Sequence, residues 1–318
     1  MIGHTPVIHF IIICHSSHLI LSTGVRRGLL QLDNELLHYQ QSAYAESSKS
    51  TYRSQIRAFL RFCLHFNLTP LPASMLTLCR YVTFLARTIQ PVSIKQYLNG
   101  VRILHLDLGY DNPLGAWRLN MICKGVERMK GTPAIQKLPM TIDILLAMSR
   151  ELDMDININK VFWAASLTAF FTFARKSTIL AKSSHFDPEK TLCLRDLAFT
   201  DFGMVLTFRH TKTIQVCERV LQVPVHSVKD SPLCRVQAMI DMLKLSGKAA
   251  PTMSLFSFRS KGALVPMTQQ VFSKCLRAVL QACGLPAGQL SGHSFRRGGA
   301  SFAFSVGVPA AIIKLHGD

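Results

Sequence analysis

Residues 290–301 read LSGHSFRRGGAS and place His293 and Arg296 three apart. On a helix that spacing puts both side chains on one face. Two further basic residues stand in marked settings. Arg175 closes a long apolar run in VFWAASLTAFFTFARKSTIL (161–180), and Lys212 sits in FRHTKTIQ between stretches that alternate like strands. Guanidinium, ammonium and imidazole groups hold anions and move protons. Each residue also has an ordinary explanation. Arg175 suits a helix C-terminus, where the dipole favours a cation. Lys212 suits any exposed hairpin, and His293 suits a core or capping position.

The nine cysteines form no C-x-x-C pair and no Cys/His group with zinc-finger spacing. Reduced thiols are therefore expected, with no metal and no cofactor. The whole chain carries 36 Lys+Arg against 18 Asp+Glu, a formal net charge of +18. An excess of that size favours a polyanionic partner. With 48% hydrophobic and 17% charged residues, the 318-residue chain can bury sizeable cores and is not a disordered polymer.

The elements that must position these residues read as mainly α. In the first convincing helix Ser50-Thr51 offers an N-cap, and Tyr52, Ile56, Phe59, Leu60 and Cys63 make one apolar stripe. Arg53, Arg57 and Arg61 run beside it as a basic stripe with no interleaved carboxylate. A solvated flank is the ordinary reading, but three mutually repelling cations favour an anion opposite them. Helices follow over Pro72–Ala86, from Ser93, and over Leu114–Met129. Residues 48–130 hold twelve Lys/Arg and three Asp/Glu, a net of +9, in a basic helical domain. Residues 131–139 read as a linker. From 140 onward come helices at Thr141–Leu152 and 161–180, then strands at Leu192–Phe199, Met204–His210 and Val220–Val225. Asp201-Phe202-Gly203 supplies a turn. Helices resume near 232–245, 268–283, 293–305 and 309–315. Residues 1–47 read as a disordered or misassigned leader. The apolar run VIHFIIIC at 7–14 is too short to span a bilayer and has no basic residue before it. Histidines 4, 9, 15 and 18 lack metal-ligand spacing.

Taken in chain order, a helix-borne Arg175, a hairpin Lys212 and then His293-x-x-Arg296 on a late helix resemble the catalytic set of the tyrosine recombinase (phage-integrase) family. The resemblance spans about residues 48–318. SGHSFRRGGASFA and FARKSTIL are similar to the recombinases of eukaryotic mobile elements, of Crypton or DIRS type. The resemblance implies a helical, SAM-like core-binding domain at 48–130. A catalytic domain with a small hairpin or three-stranded sheet would follow at 140–318. It also implies cutting and rejoining of double-stranded DNA through a phosphotyrosine link. Arg175 and Arg296 would clamp the phosphate, Lys212 would protonate the departing 5′ oxygen, and His293 would assist proton transfer. Arg53, Arg57, Arg61, Lys95 and Arg297 are the expected DNA contacts. The implied partner is DNA, with a tetramer on DNA in the full-length form. No membrane and no small-molecule substrate is expected, and the implied compartment is the nucleus.

The family pattern also needs a His or Trp shortly after a glycine, then a nucleophilic tyrosine about nine residues on. Here the sequence reads Leu315-His316-Gly317-Asp318, and His316 precedes the glycine, so it takes no role. All six tyrosines (39, 44, 52, 81, 97 and 110) lie in the first 110 residues. The chain is therefore expected to lack its terminal tyrosine segment, and to bind DNA without cleaving it. A non-enzymatic DNA-binding protein on the same scaffold is the alternative. A basic helical module unrelated to recombination accounts poorly for the ordered four-residue set.

Overall fold

The computed structural model describes residues 23–132, 136–214 and 219–317, and the side chains from Arg27 onward. The apolar run at 7–14 and histidines 4, 9, 15 and 18 lie outside the described residues. The chain is mainly helical with small antiparallel sheets, and it divides into two compact units.

The first unit holds α1 (Thr23–Ser42), α2 (Glu46–His65), α3 (Met75–Leu85), α4 (Pro91–Asp107) and α5 (Trp117–Lys130). Its core gathers Phe59, Leu78, Tyr81, Val82, Ile94, Val101 and Leu119, all nearly or wholly buried. The expected stripe of α2 faces this core, with Phe59 and Cys63 buried and Ile56 and Leu60 packed beside them. The helix starts earlier than Ser50-Thr51 indicated. Thr51 Oγ1 bonds back to the Ser47 carbonyl at 2.9 Å inside the helix instead of capping it. Helix α4 crosses α2 closely because Gly100 has no side chain; a Cβ there would stand 2.5 Å from Gln55 Cβ. His105 is a structural histidine. Its Nε2 accepts the Ala73 amide at 2.9 Å and its Nδ1 donates to the Val101 carbonyl at 2.8 Å. The leader reading gives way over 23–42, where helix-forming Leu, Gln and Glu build α1.

The second unit is built around α7 (Asn157–Phe171), whose residues Val161 to Phe170 are all buried. A helix apolar on every side belongs at the centre of its domain. Packed around it are α6 (Ile142–Glu151), α9 (Arg235–Leu243), α10 (Gln269–Ala282), α11 (Gly292–Ser305) and the short α8 (Lys176–Ile179), with α12 (Ala310–Gly317) last. Strands β1 (Leu197–Thr200), β2 (Gly203–Phe208) and β3 (Leu221–His226) form an antiparallel sheet in the order β1-β2-β3. Asp201 and Phe202 make the two-residue turn between β1 and β2. The strand expected from Leu192 begins only at Leu197. Before it the Asp196 carboxylate accepts the Cys193 amide at 2.7 Å and tightens 194–196 into a single 3-10 turn. A second hairpin, β4 (Ser257–Ser260) with β5 (Ala263–Pro266), was not anticipated. Among the described residues no helix is long and apolar enough to cross a membrane.

Candidate anion-binding cleft

Arg175 does not end a helix, as its sequence setting indicated. The apolar run breaks after Phe171, and Arg175 precedes α8 in extended backbone, with φ −72° and ψ 143°. Thr172 Oγ1 donates to the Thr168 carbonyl at 2.7 Å and closes α7. Phe173 then takes a left-handed conformation, φ 52°, which costs energy in any residue with a side chain. Two contacts compensate. Its carbonyl accepts a hydrogen bond from Arg296 Nη1 at 2.8 Å. Its ring, 8% exposed, meets the His316 ring edge to face with centroids 5.0 Å apart. The break turns Arg175 out of the apolar interior and towards Arg296.

Arg296 is delivered by α11. That helix lies close against the rest of the unit because residues 298 and 299 are glycines. A Cβ on Gly298 would strike the Met140 carbonyl, and one on Gly299 the Phe170 carbonyl. The glycine pair therefore serves helix packing. From this seat Arg296 bonds the carbonyls of both Phe173 and Gly317, tying α12 to the turn after α7.

Arg175 and Arg296 line one cleft together with Thr172, Thr178, Thr211 and His316. No carboxylate is among the described residues lining it. Two guanidinium forks with hydroxyls around them suit a tetrahedral oxyanion. Lys212 follows the cleft-lining Thr211 in the chain. Arg209, at the end of β2, is held by Asp196 through Nε–Oδ1 at 2.8 Å and Nη2–Oδ2 at 3.0 Å. From that anchor Thr211 enters the cleft wall. Its hydroxyl accepts the amides of Thr213 at 3.1 Å and Ile214 at 3.0 Å, which leaves Lys212 exposed at the apex of the turn. His293 lies on α11 one turn before Arg296, is exposed, and does not line the cleft.

His316 is the residue that sequence reasoning set aside. Its Nε2 bonds the Phe171 carbonyl at 3.1 Å, so that nitrogen carries the proton. Burial holds its pKa below the usual imidazole value; the bond to Phe171 opposes this and the nearby Arg235 charge reinforces it. Arg235 was also missed. Its guanidinium carbon lies 4.4 Å from the centroid of the Phe171 ring, and burial lowers its pKa. An arginine at the first position of a helix carries no sequence signal for such a contact.

In the first unit Arg53, Arg57 and Arg61 are all exposed along α2, opposite its buried face. Lys95 pairs with Glu127 at 2.7 Å. Arg297 is exposed and donates to the Lys137 carbonyl.

No protein-family model matches the chain. It is 22% identical over 294 residues to an integrase/recombinase XerD homolog of Selenomonas ruminantium, covering 88% of this chain and 82% of that one. Its fold matches the Tn1549 transposon integrase in complex with circular intermediate DNA. The TM-score is 0.59 at 13% identity, over 90% of each chain. The XerH site-specific recombinase bound to its palindromic difH substrate matches with a TM-score of 0.57 at 14% identity, over 84% of this chain and 72% of that one. A lambda integrase dimer bound to a core site matches with a TM-score of 0.53 at 12% identity, over 90% and 94%. The fold is that of tyrosine recombinase catalytic domains.

Proposed function

We propose that this protein is a site-specific recombinase- or integrase-like protein that binds double-stranded DNA, with residues 48–130 as a DNA-clasping domain and 140–318 as the catalytic scaffold. The observation that carries this reading is the meeting of Arg175 and Arg296. They are 121 positions apart in sequence, come from different elements, and line one cleft with no carboxylate among its described lining residues. In a phosphoryl displacement, charge builds on the non-bridging oxygens, and fixed donors aimed at them lower the barrier. Arg175 and Arg296 hold those oxygens. The same reading gives Lys212, the neighbour of Thr211 in the chain, the protonation of the departing oxygen. It also gives His293, one turn before Arg296 on α11, a part in proton transfer. A mobile-element origin and a nuclear site of action belong to the same proposal. Their support is the wording of FARKSTIL and SGHSFRRGGASFA.

The XerH and Tn1549 proteins are described bound to DNA, and the basic surface here supports the same partner. Measuring DNA affinity against salt tests it. The logarithm of affinity should fall with the logarithm of salt at about −0.9 per phosphate neutralised. Replacing Arg53, Arg57 and Arg61 together by Ala should flatten that slope by about two to three. An unchanged slope would make the stripe a solvated helix face.

A further inference from the structure

Helix α1 carries a seam that the described residues leave uncovered. Leu29, Leu32, Leu36 and Tyr39 follow one another at steps of three, four and three, which is the a/d pattern of a helix that packs on a partner. All four are in solvent, at 46%, 61%, 53% and 69% exposure. Asp33 and Glu35 flank the seam on either side, also exposed. Such a face excludes water only against another apolar surface.

The same unit offers a surface of opposite character. A cleft of about 500 Å³ between α2, α3 and α5 is floored by Phe62, Phe66 and Phe84 and rimmed by Arg80, Arg87 and Arg118. Phe66 and Phe84 are exposed, as are the three arginines, and no carboxylate is among the described residues lining the cleft. A duplex phosphate backbone asks for cations and has no use for an apolar floor. An apolar helix flanked by carboxylates fits both features. Two α1 helices zipped together would instead bring the Asp33 and Glu35 flanks of each copy together.

We infer that α1 of one copy docks its Leu32–Leu36–Tyr39 seam into the aromatic, arginine-rimmed cleft of a second copy. Reciprocal exchange would close a two-fold pair with two such contacts. The inference is independent of the recombinase reading, since it needs neither DNA nor the Arg175–Arg296 cleft.

Sedimentation equilibrium of the full chain without DNA tests it. The chain should self-associate with rising concentration. Leu32→Asp with Leu36→Asp should weaken association at least about tenfold. Arg80→Glu, Arg87→Glu and Arg118→Glu together should also weaken it, as should Asp33→Lys with Glu35→Lys. Combining the two charge reversals should restore it. All these side chains are exposed, so circular dichroism should show unchanged folding. A chain that stays monomeric to about 100 µM overturns the inference. So does association that ignores the α1 variants, or a cleft reversal that lowers only DNA affinity. A Leu36→Cys, Phe84→Cys pair that cross-links within a single chain would show α1 capping its own cleft, and would equally overturn it.

Discussion

Arg296 does two jobs with one side chain, and a lysine separates them. Its guanidinium faces the cleft with Arg175 and also bonds the Phe173 and Gly317 carbonyls. Arg296→Lys keeps the charge and loses the fork. Electrostatic DNA affinity should change little, while α12 should loosen. The expected signature is faster amide exchange across 310–317, with a stability loss of about 1–3 kcal/mol from carbonyls left without donors. His316 adds a pH dependence of definite sign. Its folded pKa lies below the ordinary 6.5, so the unfolded chain binds the proton more readily. The contribution is complete above 6.5 and is lost as pH falls below it through the folded pKa. Urea midpoints of the native protein should therefore drop with acidification. His316→Gln should remove part of that drop, and an identical pH profile in the variant would count against the buried, neutral imidazole. Sequence spacing did not reveal this residue because it stands before the glycine, where the family pattern places nothing.

At the level of elements, positions decided by amphipathic period were legible and positions decided by tertiary contact were not. The α2 stripe, the apolar α7 and the β1-β2-β3 meander follow from residue pattern alone. The break between α7 and α8 does not. It depends on a left-handed Phe173 whose cost is met by Arg296 and His316, residues more than a hundred positions away. The β4–β5 hairpin turns on Lys261 and Gly262, both at positive φ. Lys-Gly is a weaker hairpin signal than Asn-Gly, and four-residue strands show little alternation. The two arginines of the cleft were legible as motif members and their meeting was implied by the resemblance alone; its physical basis, how closely α11 approaches α7, has no signal in the residue pattern. That approach gives a test. Gly299→Ala places a methyl group against the Phe170 carbonyl and should destabilise by about 1–3 kcal/mol, with loss of order around Arg296. Gly125→Ala, in the interior of α5 with nothing within 4 Å, should stabilise by about 0.5–1 kcal/mol. Equal effects at the two sites in thermal melts would remove the packing argument.

For the whole molecule, charge and chemistry are divided differently along the chain. The net charge of +18 supports binding to DNA throughout, and the exposed arginines of α2 contribute to it without any part in the cleft. The cleft in the second unit holds phosphate-binding groups, while all six tyrosines lie at or before residue 110. Of these, Tyr81 is fully buried, and burial raises its hydroxyl pKa, which makes it a poor nucleophile. The hydroxyls that do line the cleft belong to Thr172, Thr178 and Thr211. The Thr172 and Thr211 hydroxyls are committed to backbone groups at the ends of α7 and of the Lys212 turn. Covalent catalysis needs a nucleophile within hydrogen-bonding reach of its activators, and none of these three threonines has the phenol acidity that a reversible phosphoester link requires. The 318-residue chain should therefore bind a nicked suicide substrate with strong salt dependence and form no adduct that survives denaturing electrophoresis. Arg175→Ala with Arg296→Ala should then weaken binding without changing the adduct level. A covalent adduct with this 318-residue chain would reject that expectation.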